Sequence, residues 1–279
     1  MQRLDFEAAL RRAGIRQQFT VRYQPVVELA DGRLAGLEAL VRWDHPERGL
    51  VMPGEFVGLA EDTGLIVPIG RWVLHAACQA ARDWQRRFPL QPPPFLSVNL
   101  SVRQLQQPDL LEDVAGALDA SGLAPGELVL EITESVLAAD RQAMLERLAG
   151  LRALGVHLAI DDFGTGYSSL AYRKHLPVDT LKLVKPFVDG LLLGAEEAAL
   201  TNAILRIADL VGLQVVAEGI EHQAQELERL GCRFGQGFHF ARPRPVRRRG
   251  PAGHRAGPPP RRPAGPARHL SADGHRHGP

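Results

Sequence analysis

Short apolar runs alternate with longer segments of helical periodicity along most of this chain. The apolar runs have strand length and predict buried strands at residues 19–29, 34–43, 95–99, 128–132, 156–160, 179–183, 214–217 and 232–240. Segments rich in helix-forming residues predict helices at residues 5–16, 71–88, 110–120, 141–154, 195–213 and 221–230, with a short helix that begins at Pro53. Strands that alternate with helices are typical of parallel β/α units.

The first two predicted strands form a hairpin instead of a parallel pair. Asp31 and Gly32 separate them, and an Asp-Gly pair is a strong turn signal between strands. The β/α units that follow are numerous enough to predict a closed (β/α)8 barrel. An open, doubly wound sheet is the alternative, but no Gly-x-Gly-x-x-Gly turn follows the first strand.

Composition predicts a soluble protein in a reducing compartment. Hydrophobic residues make up 45% of the chain and charged residues 23%, as in ordinary globular proteins. No apolar run has the length of a membrane span, and the N-terminal residues lack the apolar core of a signal peptide. Two cysteines, Cys78 and Cys232, are too few for a disulfide framework or a cysteine zinc site. We therefore expect a cytoplasmic protein without a membrane segment.

Charge is distributed unevenly between a folded part and a tail. Residues 247–279 carry eight arginines against the single acid Asp273, a formal charge of +7, so the net charge of +1 leaves about −6 on residues 1–246. A mildly acidic body argues against nucleic acid as the main partner. Residues 247–279 consist mostly of Arg, Pro, Gly, Ala and His, too little apolar surface to offset the entropy of ordering. We predict a folded domain at residues 1–246 and a disordered tail at 247–279, with a basic arm for anionic partners as the alternative.

Two adjacent acids, Asp161 and Asp162, follow a predicted strand and precede a loop with two glycines. Neighbouring side chains of a regular strand point to opposite faces, so a shared task for both acids predicts a bend at the strand end. Adjacent carboxylates repel each other unless a cation or a proton lies between them. A divalent metal is the simplest solution, and a helix N-cap with an acidic first turn is the alternative.

Further polar residues follow the other predicted strands. The chain places Glu38, Asn99, Glu131, Asp161 with Asp162, Lys182, Glu218 and Gln236 at or near the ends of apolar runs. The carboxyl ends of parallel strands meet at one mouth of a barrel. Each residue alone could be a surface acid, a cap or part of a tight bend, but together they predict a shared site. Hard oxygen ligands suit Mg²⁺ or Mn²⁺ better than zinc, and paired metals of this kind serve phosphate-ester hydrolysis.

Seven motifs resemble, in order and spacing, those of EAL domains, the bacterial phosphodiesterases that open cyclic di-GMP to linear pGpG. They are Tyr23-Gln24-Pro25, Glu38-Ala39-Leu40-Val41-Arg42-Trp43, Val98-Asn99-Leu100-Ser101, Glu131-Ile132-Thr133-Glu134, Asp161-Asp162-Phe163-Gly164-Thr165-Gly166-Tyr167, Ala217-Glu218-Gly219-Ile220-Glu221 and Gly235-Gln236-Gly237. The resemblance covers roughly residues 5–245. It implies an α/β fold, a modified (β/α)8 TIM-type barrel with an antiparallel first strand, in agreement with the hairpin.

The same resemblance implies a role for each residue of the site. Two Mg²⁺ or Mn²⁺ ions per site would be held by Glu38, Asn99, Glu131, Asp161 and Asp162. Lys182 and Glu218 would hold and activate the attacking water, with support from Gln236. Substrate would contact Gln24, Leu40, Arg42 and Glu221. Glu134 would anchor a regulatory loop at residues 162–169, which is linked in the family to dimerisation, so a homodimer is one expected arrangement.

Two departures from the family pattern concern the surroundings of the site. Val184 stands where the family usually has an acid two residues after the lysine, and Pro186 where it usually has serine. The tail also replaces the family's closing helix, and its GC-rich codons suggest a frameshift, which the alternative reading frame would test. We therefore expect a metal-dependent cyclic di-GMP phosphodiesterase. The alternative is a degenerate domain that binds cyclic di-GMP or a protein partner without cleavage.

Overall fold

The computed structural model is an α/β barrel, and it describes residues 2–133, 141–163, 177–222 and 224–245. Residues Met1–Val246 form one compact unit. The strands are β1 (Phe19–Glu28), β2 (Leu34–His45), β3 (Gly49–Val51), β4 (Phe95–Leu100), β5 (Leu128–Thr133), β6 (His157–Phe163), β7 (Thr180–Leu183), β8 (Gln214–Ala217), β9 (Phe234–Gly235) and β10 (Arg244–Pro245). The helices are α1 (Gln2–Ile15), α2 (Pro53–Thr63), α3 (Ile66–Arg87), α4 (Val102–Leu105), α5 (Leu110–Ser121), α6 (Arg141–Ala153), α7 (Lys185–Gly190), α8 (Ala195–Leu210) and α9 (Ala224–Arg229), with a 3-10 turn at Pro125–Glu127.

The barrel closes through the hairpin at the start of the chain. Its strands lie in the order β1, β9, β8, β7, β6, β5, β4, β2, and β2 pairs with β1 to complete the ring. β1 runs antiparallel to both of its barrel neighbours, whereas the neighbouring pairs from β2 round to β9 are parallel. Gly32 makes the hairpin turn with a φ of 72°, a conformation that glycine adopts without strain. The predicted barrel with an antiparallel first strand is confirmed.

The elements differ from the predicted ones mainly at their ends. Helix α3 begins at Ile66 instead of residue 71, because Pro68 lies in the first turn, where a missing N–H costs nothing. Strand β9 is confined to Phe234–Gly235 instead of residues 232–240. The short elements β3, β10, α4 and α7 were not predicted, since two to six residues carry little periodicity. None of the described helices is both long and apolar enough to cross a membrane.

The barrel interior is apolar at one end and polar at the other. Val26, Val216 and Phe234 form a buried cluster on which Phe95 packs. Outside the strands, the main core lies against the helices, where the rings of Tyr23 and Trp84 meet edge to face at 4.5 Å. The polar end is the mouth of the barrel, at the carboxyl ends of the parallel strands. The apolar end packs between the same strands and holds them in place.

Candidate active site

The ammonium group of Lys182 lies at the centre of a buried acid cluster. Lys182 Nζ is 2.7 Å from Glu131 Oε2 and 2.7 Å from Glu218 Oε1. It is 3.3 Å from Asp161 Oδ1 and 3.5 Å from Glu38 Oε1. The lysine is 2% exposed, and Glu131 is 3% exposed. Carboxylates from β2, β5, β6 and the residue after β8 therefore meet at one cation, as expected for a shared mouth, although Glu38 lies within β2 and not at its end.

Backbone bonds between neighbouring strands hold two of the site residues just past their strands. The amide of Glu218 donates to the carbonyl of Leu183 at 2.9 Å, and that of Gln236 donates to the carbonyl of Ala217 at 2.8 Å. Each bond extends the hydrogen-bond ladder of a parallel strand pair by one residue. The residue that follows the strand is therefore fixed at the mouth of the barrel. The sequence signal for both is a polar residue directly after an apolar run.

Side-chain amides complete the cluster around Glu38. Asn99 Nδ2 donates to Glu38 Oε1 at 3.1 Å, and Gln236 Nε2 donates to Glu38 Oε2. Gln236 also donates to Gln24 Oε1 at 3.1 Å, and Gln24 Nε2 donates to the carbonyl of Ala241 at 3.3 Å. The buried side-chain oxygen Oε1 of Gln236, by contrast, has no hydrogen-bond partner among the described residues. An orphaned buried acceptor beside carboxylates is suited to a cation or a water.

The two glycines around Gln236 are there for close packing. A Cβ at Gly237 would overlap the backbone of Ile220, and a Cβ at Gly235 would lie 2.6 Å from both Ile220 Cδ1 and Leu29 Cδ2. The chain can therefore turn beside Ile220 only without side chains at these positions. This tight turn ends β9 early and points Gln236 into the mouth.

The acid pair Asp161 and Asp162 lies at a bend in β6, as expected from the sequence. The β6–β7 register shifts between Ile160 and Phe163, and Asp162 has a φ of 56°. Asp is among the few residues other than glycine that visit this left-handed region. The amide of Asp162 donates to Asp161 Oδ1 at 3.0 Å. The bulge removes strict alternation, so both carboxyl groups can belong to one mouth.

Burial and mutual repulsion set the protonation of the cluster. Burial raises the pKa of Glu131 well above its ordinary value and outweighs the opposing effect of Lys182. Burial likewise raises the pKa of Glu218 to about 7. Burial also favours protonation of Glu38, but Lys182 and the amides together outweigh it and lower the pKa of Glu38. Burial disfavours the ammonium of Lys182, yet the surrounding carboxylates raise its pKa well above the ordinary value.

The donor set fits a hard divalent cation. One ammonium faces four carboxylates within 3.5 Å, and burial raises the pKa of the neighbouring Asp162 as well. Carboxylate and amide oxygens are the ligands that Mg²⁺ and Mn²⁺ prefer. Within the described ranges, no three acid, histidine or cysteine side chains surround an open metal position; the ammonium of Lys182 lies among the carboxylates instead. The cluster therefore has more negative charge than its own cation balances.

The residues expected to meet substrate lie at different distances from this cluster. Gln24 joins the cluster through its hydrogen bond with Gln236. Leu40 and Arg42 follow Glu38 on β2 by two and four residues. Glu221 lies at the rim, where its carboxylate is 3.3 Å from Lys185 Nζ. Glu134 lies outside the described residues, as do residues 164–169 of the expected regulatory loop.

One polar residue near the site escaped the sequence analysis. Arg22 lies two positions before Gln24 on β1, and its Nε is buried without a hydrogen-bond partner in the described part of the chain. The signal that could have revealed it is the period-two alternation of a strand, which places positions 22 and 24 on one face.

The family model for the EAL domain matches residues 7–243. The chain belongs to the EAL-domain family. Among curated relatives of this EAL domain, the bifunctional diguanylate cyclase/cyclic di-GMP phosphodiesterase MucR of Pseudomonas aeruginosa is 44% identical over 247 residues, which cover 85% of this chain and 35% of MucR. An uncharacterized protein of Mycobacterium bovis is 42% identical over 245 residues, which cover 85% of this chain and 79% of that protein. The chain thus spans about a third of the length of MucR.

Solved EAL structures share the fold. The structure of the MucR phosphodiesterase of P. aeruginosa in complex with c-di-GMP is 44% identical, with a TM-score of 0.81, and the match covers 88% of this chain and 98% of that one. The FimX EAL domain of P. aeruginosa, bound to c-di-GMP, is 27% identical with a TM-score of 0.76, covering 85% of this chain and 95% of that one.

Proposed function

We propose that this EAL domain hydrolyses cyclic di-GMP to linear pGpG with the help of divalent metal ions. The observation that carries the proposal is the buried cluster in which Glu38, Glu131, Asp161 and Glu218 surround Lys182. Family membership and the c-di-GMP complex of the MucR phosphodiesterase support the choice of substrate.

The proposed metal ligands are Glu38, Asn99, Glu131, Asp161 and Asp162. Bound Mg²⁺ or Mn²⁺ would neutralise phosphate charge, lower the pKa of a bound water and stabilise the leaving oxygen. The side-chain oxygen of Gln236, without a partner among the described residues, would accept a hydrogen bond from a water at the same place.

Glu218 and Lys182 are the proposed catalytic pair. In the metal-free cluster the pKa of Glu218 is raised to about 7, close to the pH at which a general base is most effective. Lys182 contacts Glu218 at 2.7 Å and would orient it while donating to the attacking water. A positioned acid–base group of this kind contributes about 10²–10⁴ to a rate.

A second candidate is a domain that binds cyclic di-GMP or a protein without cleavage. Val184 favours it, because this buried apolar residue follows Lys182 by two positions, where the family usually has an acid. Against it, the structure brings Glu38, Glu131 and Asp161 together around Lys182.

One assay separates the two functions. Purified protein is incubated with cyclic di-GMP and Mn²⁺, and pGpG is measured by chromatography, with Glu38→Gln as an isosteric control. We expect pGpG from the wild type and at least about 100-fold less from the variant. Nucleotide that stays bound but uncleaved at high enzyme concentration would establish the binding function instead.

The reaction would take place in the cytoplasm. A homodimer is an expected assembly, which sedimentation measurements would test. The division into a domain at residues 1–246 and a tail at 247–279 also stays a prediction, and truncation after residue 246 should leave activity unchanged.

A further inference from the structure

A small cleft lies between helix α1 and the turn that joins β2 to β3. Its volume is about 230 Å³, and the charged or imidazole side chains along it are Asp5, Arg12, Arg16, His45, Glu47 and Arg48. His45 follows Glu38 on β2 by seven residues, which is about 23 Å along a strand at about 3.3 Å per residue. The cleft is therefore separate from the acid cluster of the candidate active site.

Helical spacing places two arginines on the wall that α1 contributes. Arg12 and Arg16 are four residues apart, and the amide of Arg16 donates to the carbonyl of Arg12 at 3.0 Å, so the helical turn continues to Arg16. Side chains at this spacing are neighbours on one face of a helix. Both line the cleft, and neither side chain has an ion-pair or hydrogen-bond partner among the described residues. Two uncompensated guanidinium groups thus lie side by side.

His45 supplies a buried donor from the opposite wall. The residue is 9% exposed, and its Nδ1 accepts hydrogen bonds from the amides of Glu47 at 3.1 Å and Arg48 at 3.2 Å. A neutral imidazole whose Nδ1 accepts carries its proton on Nε2, so these bonds determine the tautomer. The ring meets that of Trp43 edge to face at 4.9 Å, which fixes its orientation. The Nε2–H has no acceptor in the described part of the chain.

The backbone brings His45 and the arginines to the same end of the cleft. The amide of Asp44 donates to the carbonyl of Gln18 at 2.8 Å, which continues the β1–β2 pairing beyond Phe19. His45 is the next residue on β2, and Arg16 lies two residues before Gln18 in the segment that follows α1. The imidazole N–H and the guanidinium groups therefore border one small volume.

The acids of the cleft do not neutralise these arginines. Asp5 precedes Arg12 by seven residues, which is about 10 Å along the helix axis at 1.5 Å per residue. Glu47 is exposed, and neither acid forms an ion pair within the described ranges. The guanidinium group of Arg48 lies over the ring of Phe6, 4.7 Å from its centre. Three arginines against two acids give the cleft a formal charge of +1, whereas residues 1–246 carry about −6.

We propose that this cleft binds the phosphate group of a soluble phosphate monoester, with Arg12, Arg16 and the Nε2–H of His45 as donors. A monoester carries nearly two negative charges at neutral pH, which two guanidinium groups balance. Their paired N–H donors match phosphate oxygens, and the N–H of His45 is already fixed, so binding does not have to order it. The inference does not depend on the hydrolysis of cyclic di-GMP.

The size of the cleft limits what it can enclose. Its volume of about 230 Å³ lies below the roughly 300 Å³ at which pockets take drug-sized ligands. The phosphate and the atoms next to it would be enclosed, and the rest of the ester would extend into solvent. Because the arginines belong to α1 and its end while His45 belongs to β2, the bound group would link the two elements and stabilise the fold.

The test is an NMR titration of the full chain with inorganic phosphate, in chelator so that the acid cluster holds no metal. The amides of Glu47 and Arg48 donate to His45 Nδ1, so their resonances should shift when Nε2–H donates to phosphate. We expect saturation with a Kd on the order of 1 mM, and binding about 10-fold weaker in the double variant Arg12→Gln/Arg16→Gln. Shifts that do not saturate, or that are the same in the double variant, would overturn the proposal.

These local resonances are needed because the arginines of residues 247–279 can also attract phosphate. Three further probes test the chemistry of the ligand by the same shifts. AMP should bind at least as tightly as inorganic phosphate, and adenosine, which lacks the phosphate, should not bind. Dimethyl phosphate has a single charge and should bind about 10-fold more weakly. Equal binding of AMP and adenosine would contradict a phosphate site.

Two single variants serve as controls, with the rise of the melting temperature in phosphate as the readout. Arg11→Gln removes the same charge from α1 outside the cleft, where Arg11 pairs with Glu7 at 3.0 Å, and should leave the Kd unchanged. His45→Asn keeps an acceptor for the amides of Glu47 and Arg48 but loses the Nε2 donor, so the Kd should rise about 3- to 10-fold. An unchanged Kd in His45→Asn, or a loss in Arg11→Gln equal to that of the double variant, would refute the assignment.

Discussion

Lys182 Nζ and Glu131 Oε2 lie 2.7 Å apart, and both side chains are almost completely buried. β7, which carries Lys182, and β5, which carries Glu131, are separated in the barrel by β6. This contact therefore crosses the mouth and joins strands that are not hydrogen-bonded neighbours. The lysine takes the position of a counter-ion among these acids.

Replacement of Lys182 by methionine should destabilise the metal-free domain by about 3 kcal/mol, because breaking a buried pair leaves uncompensated carboxylates. Urea denaturation with a chelator measures this loss. Lys185→Met is the matched control, since Lys185 is 45% exposed and pairs with Asp189 and Glu221 at the rim. This variant should leave the stability almost unchanged, because solvent-exposed ion pairs contribute little. Equal losses in the two variants would contradict the role given to Lys182.

The stability of the metal-free domain should fall as the pH rises from about 4.5 to about 7. The carboxyl group of Glu218 has its folded-state pKa raised to about 7 by burial, above the ordinary 4.5. The folded chain therefore holds more protons than the unfolded chain in this window, and stability decreases with pH there. Denaturation curves for wild type and Glu218→Gln at several pH values isolate the effect. Parallel pH profiles for the two proteins would speak against it.

Replacement of Val184 by aspartate should strengthen metal binding by about 10-fold. Val184 has extended backbone angles, with φ −66° and ψ 155°, so alternation places its side chain on the same side as that of Lys182. When Mn²⁺ is present, a carboxylate at position 184 adds a hard ligand for the metal. When a chelator removes the metal, the same carboxylate is an unbalanced charge, so the melting temperature of the variant should drop. The Val184→Asn variant is the control, because asparagine has the shape of aspartate without its charge. If both variants bind Mn²⁺ equally tightly, the charge of the aspartate is not the cause of the stronger binding.

Replacement of Gly237 by alanine should destabilise the fold by about 2–3 kcal/mol, as overpacking does. Its Cβ would overlap the backbone of Ile220, which cannot move as a side chain could. Gly116→Ala is a suitable comparison, because no atom lies within 4 Å of a Cβ at this position in α5. That change should stabilise the helix by up to about 1 kcal/mol. Urea denaturation of both variants checks the contrast.

Much of the barrel follows from local patterns in the chain. Apolar runs of strand length marked the barrel strands, and the Asp31-Gly32 pair marked the antiparallel hairpin of β1 and β2. The polar residues from Glu38 to Gln236 lie around one mouth, because parallel strands carry their carboxyl ends to the same side. Glu38 differs from the expectation, since it lies inside the long strand β2. Short elements such as α7 escaped, since a helix of six residues has too few turns for a periodic signal.

The sequence by itself determined the fold class and most of the polar residues of the mouth, because strand alternation and polar residues after apolar runs are local properties. The tertiary structure alone decided how these charges compensate one another. It set Lys182 among four carboxylates from strands β2, β5, β6 and the end of β8, and it placed Arg22 diagonally to Arg42. Burial and distance between residues far apart in the chain govern such interactions, and neither can be read from spacing along the sequence.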